Sequence, residues 1–405
     1  MTKVPNAVIV AAGRSPIGRA FKGSLASLRP DDLLAQVITA VLQRVDTLDP
    51  RLVEDLIVGC GSPAGESGFN LARVSALLAD LPHLPGVTVN RYCASSLQSI
   101  RMASHAIRAG EGDVFIAAGV ESISRYGAGM ADVEVAKNSR FDEARRRSAA
   151  RAAGDQGDWT SPVGLPDIYI DMGQTAENVA ELTGVTRAAM DEFAQRSQEL
   201  AVEHQNNGFF DREIVPVLTP DGHIITRDDG PRASSTLEAL EQLRPVFRPN
   251  GRVTAGNACP LNDGAAAVIV MNEDLARQLG ITPLARILST AVSALDPEIM
   301  GLGPVEASRR ALQRAGLGID DMDTVEINEA FAAQVLPSAQ QLGLDMERLN
   351  PRGGAIALGH PFGMTGARIA TTMMNSLATS GGRYGLETMC VGGGQGMALI
   401  LENLR

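Results

Sequence analysis

The 405-residue chain is poor in several things that would each point to a function class. It has four cysteines, Cys60, Cys93, Cys259 and Cys390, and no CxxC pair among them. That spacing does not resemble a disulfide scaffold or a zinc site and suits free thiols in a reducing compartment. Lys and Arg are outnumbered, the net charge being −11, so no nucleic-acid partner is expected. No run approaches the roughly 18 apolar residues that a membrane helix needs, so no membrane partner is expected either. The start, MTKVPNAVIVAAG, lacks a long apolar segment and an Arg/Ser-rich amphipathic one, which argues against export or transit and for the cytoplasm. With 44% apolar and 20% charged residues, the chain should be ordered, with two or three domains and a large core.

What is present reads as alternating strands and helices. Strands are expected at Ala7–Ala11, Val53–Val58, Val87–Asn90 and Val114–Ala118. Leu33, Leu34, Val37, Ile38, Val41 and Leu42 recur at helical spacing within Pro30–Val45, with Asp31 and Asp32 in the first turn. A second helix, Ala94–Ala109, closes at Gly110. From Ser122 to Arg252 the chain turns polar: Ala144–Trp159 and Thr226–Ser235 read as loops, and Arg187–Asn206 as an amphipathic helix. So long a connection usually carries binding surface. Alternation resumes after Gly264, with a helix over Val305–Ala315. VEDLIVG from Val53 and MDTVEIN from Met322 stand 269 residues apart, a faint sign of two similar halves whose loops share a face.

Four segments could carry chemistry. Cys93, in VNRYCASSLQSI, sits where an extended run meets a helix start, whose partial positive charge and free amides lower a thiol pKa and can hold an oxyanion. A buried apolar filler is the plain alternative, and position alone does not decide. His360 lies in NPRGGAIALGHPFGMTGAR, where glycines and prolines shape a ligand loop; it could take a thiol proton near neutral pH, or merely hold a turn. Asn328, in INEAFAAQVL, either caps a helix or orients a water or carbonyl, while Glu329 orients its neighbours and Phe331 walls a pocket. Cys390 ends the strand LETMC before VGGGQG, which lacks a phosphate-loop lysine; its glycines instead let backbone amides approach a reacting group beside a proton-carrying thiol. Cys60 reads as structural.

In order along the chain, VNRYCASSLQS, INEAFAAQV, GGAIALGHPFGMTGAR and CVGGGQGMA resemble the motifs of the thiolases, the acetyl-CoA acetyltransferases and 3-ketoacyl-CoA thiolases; GRSPIGRAFKG, MGQTAENVA and TAGNACPLNDGAA are similar too. The resemblance implies an α/β thiolase fold: two duplicated βαβαβαββ halves in a five-layer α-β-α-β-α sandwich with an inserted loop domain. The halves would be 1–121, resumed about 253–275, and 276–405, with a CoA-binding loop domain over 122–252. It implies an acyltransferase with CoA as substrate, no tightly bound cofactor and no metal. Cys93 would be the acylated nucleophile, His360 the base, Cys390 the second proton carrier, Asn328 the holder of an oxyanion water, and the amides of Cys93 and Gly392 a second oxyanion hole. Arg232, Phe247, Cys259, Met172 and Phe331 would line the CoA and substrate site. Two departures stand out: Cys259-Pro260 where many thiolases have Ser within GNAS, and Asp171 where acetoacetyl-CoA-specific members often have His. These favour degradative cleavage of 3-ketoacyl-CoA with a bulky acyl group. The alternatives are acetoacetyl-CoA synthesis, a non-catalytic acyl-CoA carrier and a cysteine hydrolase. A homodimer or homotetramer is expected.

Overall fold

The computed structural model describes residues 4–154 and 158–405. Nine strands build its main sheet: β1 Ala7–Arg14, β2 Asp55–Gly59, β3 Gly86–Val89, β4 Val114–Ser122, β5 Asn262–Asn272, β6 Ala285–Ala294, β7 Thr324–Ile327, β8 Tyr384–Val391 and β9 Gln395–Asn403. A two-residue strand, Gly18–Arg19, pairs with β5 besides. The order is β7-β8-β9-β6-β1-β5-β4-β2-β3. Only Val8–Arg286 and Ile9–Ala285 join β1 to β6, so the sheet is two sheets meeting at one corner.

Those two sheets are wound alike. In the first, β2 is parallel to β3 and β4, while β5 runs antiparallel between β4 and β1. In the second, β7 is parallel to β8, and β9 runs antiparallel between β8 and β6. Where β3 has no full counterpart, a parallel bridge from Val325 to Leu349 takes its place. β2 and β7 begin at residues 55 and 324, the 269-residue offset read from the sequence.

Three apolar clusters fill the spaces between layers. Leu33, Leu34, Val37, Ile38 and Val41 of the Pro30–Leu42 helix bury one face of the first sheet. Val305, Ala311 and Leu312 of the Gly303–Ala315 helix do the same for the outer face of the second. Between the sheets lie the helices Ser95–Ala109 and Thr365–Ser380, packed through Leu97, Ile100, Ala367 and Ala370. Five layers result, because each sheet is apolar on both faces and must be covered twice.

The Arg187–Asn206 helix runs over the expected residues, held at its start by Thr186, whose hydroxyl accepts from Ala189 N. The Ala144–Trp159 stretch corrects the sequence reading. Asp142–Ala152 is helical, with Asp142 and Glu143 in its first turn; the loop expected over 155–157 lies outside the described residues. Polarity misled here because an Arg/Ala-rich run is a good helix former even when only Ala144 of it is buried. Trp159 is buried and donates to Glu298. No helix among the described residues is long and apolar enough to cross a membrane.

Candidate active site

The two central helices start at the same place in their halves, and each is preceded by a loop that carries a reactive side chain. Cys93 lies in the short turn Tyr92–Ala94, two residues before the start of the Ser95–Ala109 helix. Tyr92, immediately before it, has φ +42°, a conformation a bulky residue adopts only when its surroundings force it. Its amide donates to Asn90 Oδ1 at 2.7 Å, and its carbonyl accepts from Ser95 Oγ at 2.7 Å; the two bonds fix the turn.

The Cys93 sulfur is reached by two backbone amides, Gly392 N–H and its own. Gly392 opens the turn between β8 and β9, where Gly393 and Gly394 hold φ +76° and +75°. Glycine takes this conformation at least cost, which accounts for the second and third glycines of the run. The expectation of a lowered thiol pKa is corrected: burial pushes Cys93 up to about 11, outweighing the amides. The resting group is the thiol.

His360 is fully buried, and its environment is likewise not the near-neutral one expected: burial, and then the field of Arg368, lower it to about 3. Its Nδ1 lies 2.6 Å from Thr365 Oγ1, whose own proton goes to the Pro361 carbonyl at 2.8 Å. Thr365 can therefore only accept, so the hydrogen-bond network assigns the proton to Nδ1 and a lone pair to Nε2. Asn328 Nδ2 stands 3.3 Å from that Nε2. Asn328 does not cap the following helix, whose N-cap is Phe331; it directly follows β7, and its Oδ1 is buried with no partner among the described residues, an acceptor open to a water. Glu329 accepts from Ser197 Oγ, Asn350 Nδ2 and Ile356 N at 2.6, 2.8 and 3.0 Å, tying the inserted region to the loop that leads to His360.

Cys390 is wholly buried in β8, one residue before its end, and its thiol is pushed far above the ordinary value by burial and by Cys93 and Cys259. Cys259 is raised in turn by burial and by Cys93. Three thiols thus share one low-dielectric site. Cys259 N donates to Ala330 O at 3.0 Å, and the adjacent Ala258–Phe331 bridge lays this segment along the strand-to-helix turn after Asn328. Phe247 and Phe331 meet edge-to-face with centroids 6.1 Å apart.

Met172 starts the Met172–Thr183 helix, and Asp171 is its N-cap, accepting from Gly173 N at 2.8 Å. Arg232 is not brought into contact with these groups. It is exposed and anchored by its backbone, which donates to Gln198 Oε1; its charge is disfavoured by partial desolvation and by Arg19.

A cavity of about 470 Å³ opens on Cys93 and Gly392. Tyr92, Val133, Ile168, Ile170, Met172 and Phe362 form its apolar walls.

Two site residues were missed from the sequence. Thr365 lies within the His360 motif, so a hydroxyl one turn after a histidine was the signal available. Glu121 had none. It is buried at the end of β4 and accepts from Gly61 N, Gly363 N and Tyr126 Oη at 2.7, 2.9 and 2.9 Å, locking the His360 loop onto the first half. Cys60 donates to the same carboxylate, consistent with its structural reading. The contact is close enough that a Cβ on Gly119 would lie 2.0 Å from Gly363 O.

The thiolase N-terminal domain family matches residues 7–274, and the thiolase C-terminal domain family residues 281–403. The chain belongs to the thiolase family. Among curated thiolases, it is 45% identical to the 3-oxoadipyl-CoA/3-oxo-5,6-dehydrosuberyl-CoA thiolase of Escherichia coli K12, over 96% of this chain and 98% of that one. It is 44% identical to the 3-ketoacyl-CoA thiolase of Idiomarina loihiensis, over 98% and 99%. The crystal structure of the Bacillus anthracis acetyl-CoA acetyltransferase superposes with a TM-score of 0.87 at 37% identity, covering both chains fully. As a thiolase, this chain is an acyltransferase.

Proposed function

We propose that this thiolase cleaves 3-ketoacyl-CoA with CoA, in the degradative direction, and that its acyl group is larger than acetyl. The observation that carries the reading is the 470 Å³ apolar cavity opening on Cys93, far more room than the methyl of an acetyl group fills. Cys93 Sγ attacks the C3 carbonyl while His360 Nε2 takes its proton. The oxyanion formed there receives the amides of Cys93 and Gly392. The C2–C3 bond breaks, its electron pair leaving as the acetyl-CoA enolate, and Cys390 protonates that carbon. In the enolate the thioester oxygen is held by His360 and by a water on Asn328. CoA then enters, gives its thiol proton to the Cys390 thiolate, and attacks the acyl-Cys93 carbonyl; Cys93 leaves and recovers its proton from His360. Each oxyanion donor of this kind is worth about 3 kcal/mol. The neutral Cys93–His360 pair at rest supports a proton transfer that occurs only as substrate arrives.

CoA itself we assign to the 122–252 region together with Phe247, Phe331, Cys259 and the guanidinium of Arg232, which has no carboxylate partner among the described residues. The open outer edge of β3 supports a homodimer or homotetramer, since an unpaired strand edge is normally covered. The free thiols support a reducing, cytoplasmic setting. Measuring kcat/KM over a 3-ketoacyl-CoA series of rising acyl size tests the assignment. A maximum beyond acetoacetyl-CoA is expected; strict preference for acetoacetyl-CoA would replace it with the biosynthetic reading.

A further inference from the structure

The charged groups around the Cys93 cavity make a specific statement about its ligand. Two charged side chains line it, Asp132 and Lys137. Lys137 Nζ is taken by Glu134 Oε2 at 2.6 Å, and Arg145 is shared between Glu134 and Asp142, so the two cations face two carboxylates and neither is left over. Asp132 has no ion-pair partner among the described residues, and its field reaches Tyr92, whose phenol is pushed up by burial and then by Asp132. A second carboxylate entering the cavity would meet apolar walls, one unpaired acid and no unpaired cation on the lining. Burying an ionised carboxylate without a partner is costly, whereas a neutral chain gains from the same walls.

We infer that the acyl pocket selects neutral, apolar or aromatic acyl groups and rejects acyl groups ending in a carboxylate, with Asp132 and the Lys137–Glu134 pair as the specificity-determining groups. This rests on the proposed cleavage of 3-ketoacyl-CoA at Cys93. It separates the chain from relatives named for 3-oxoadipyl-CoA, whose acyl group carries such a carboxylate. The rejection is built from neutralisation, because a cation is present at Lys137 but is already satisfied.

The test uses two substrates of equal chain length, 3-oxohexanoyl-CoA and 3-oxoadipyl-CoA, and the purified full chain. The neutral substrate is expected to have the higher kcat/KM by about tenfold or more. In Asp132→Lys and in Glu134→Gln the ratio should move towards 3-oxoadipyl-CoA, the first by supplying a cation at an exposed rim position and the second by releasing Lys137. Equal or better use of 3-oxoadipyl-CoA by the unaltered chain overturns the inference while leaving thiolytic cleavage standing. A ratio that neither variant moves overturns the electrostatic basis. Failure to cleave either substrate with CoA overturns the parent reading and this one with it.

Discussion

The loop before the Ser95–Ala109 helix and the loop before the Thr365–Ser380 helix occupy corresponding places in the two halves, yet they are held in opposite ways. The first puts Cys93 at the mouth of a cavity through a strained Tyr92 that is 38% exposed. The second buries His360 entirely, fixes its tautomer through Thr365, and is pinned from below by Glu121 and Glu329. A duplicated scaffold thus sets one thiol against a cavity and buries one imidazole with a single lone pair fixed in direction. Backbone strain at Tyr92 marks the first loop, and buried side-chain hydrogen bonds hold the second.

Removing the reactive group from each loop should have the largest effects. Cys93→Ala is expected to abolish acyl-enzyme formation, lowering turnover by roughly 10³-fold or more, while leaving the circular dichroism and melting temperature close to unchanged. Acyl-enzyme detected by mass spectrometry on any other residue of that variant would break the assignment. His360→Ala removes the base and should lower kcat by about 10²- to 10⁴-fold, as is typical for a positioned proton acceptor; added imidazole should restore part of it.

A subtler change asks whether orientation, and not only presence, separates the loops. Thr365→Val deprives Nδ1–H of its acceptor in a buried site, a penalty of about 1–3 kcal/mol. We expect kcat to fall about tenfold or more with KM little altered. Thr365→Ser, which keeps the oxygen, should recover most of the activity. An unaffected Thr365→Val enzyme would mean that burial alone holds the ring.

The smallest effects concern pH. Cys93 is raised to about 11, so alkylation of the free enzyme by iodoacetamide should accelerate steadily through pH 9 and 10 and show no plateau near neutrality. A plateau below pH 8 would reveal a pre-formed ion pair. His360 is lowered from 6.5 to about 3, so the unfolded chain takes up the proton first. Its contribution to stability is therefore present above pH 6.5 and is lost as pH falls towards 3. Compared with unaltered protein, His360→Gln should lose less stability between pH 7 and 4 in urea melts; identical slopes would refute the burial account.

How much of this could be read beforehand differs by residue. The Arg187–Asn206 helix and the 269-residue offset were legible, because helical spacing and repeated strand segments are local patterns. The Asp142–Ala152 helix was not, since it buries almost nothing and so leaves no apolar stripe to detect. Cys93, His360, Asn328 and Cys390 were found as motif members, and the fold sets His360 Nε2 beside Asn328 and the Cys93 sulfur beside the Gly392 amide. Glu121 left no trace, because an acid ending an apolar strand reads as a strand terminus until another loop folds over it.

The sequence by itself determined which residue types stand in which order: the alternation that makes layers, the glycines that permit the tight turn after Cys390, and the motifs that carry the family. The tertiary structure alone decided the electrostatics. Helix-start position pointed to an acidic Cys93 and composition to a near-neutral His360, and both were reversed. Whether a thiol or an imidazole is charged depends on how much water the surrounding layers exclude, a property of contacts between segments hundreds of residues apart.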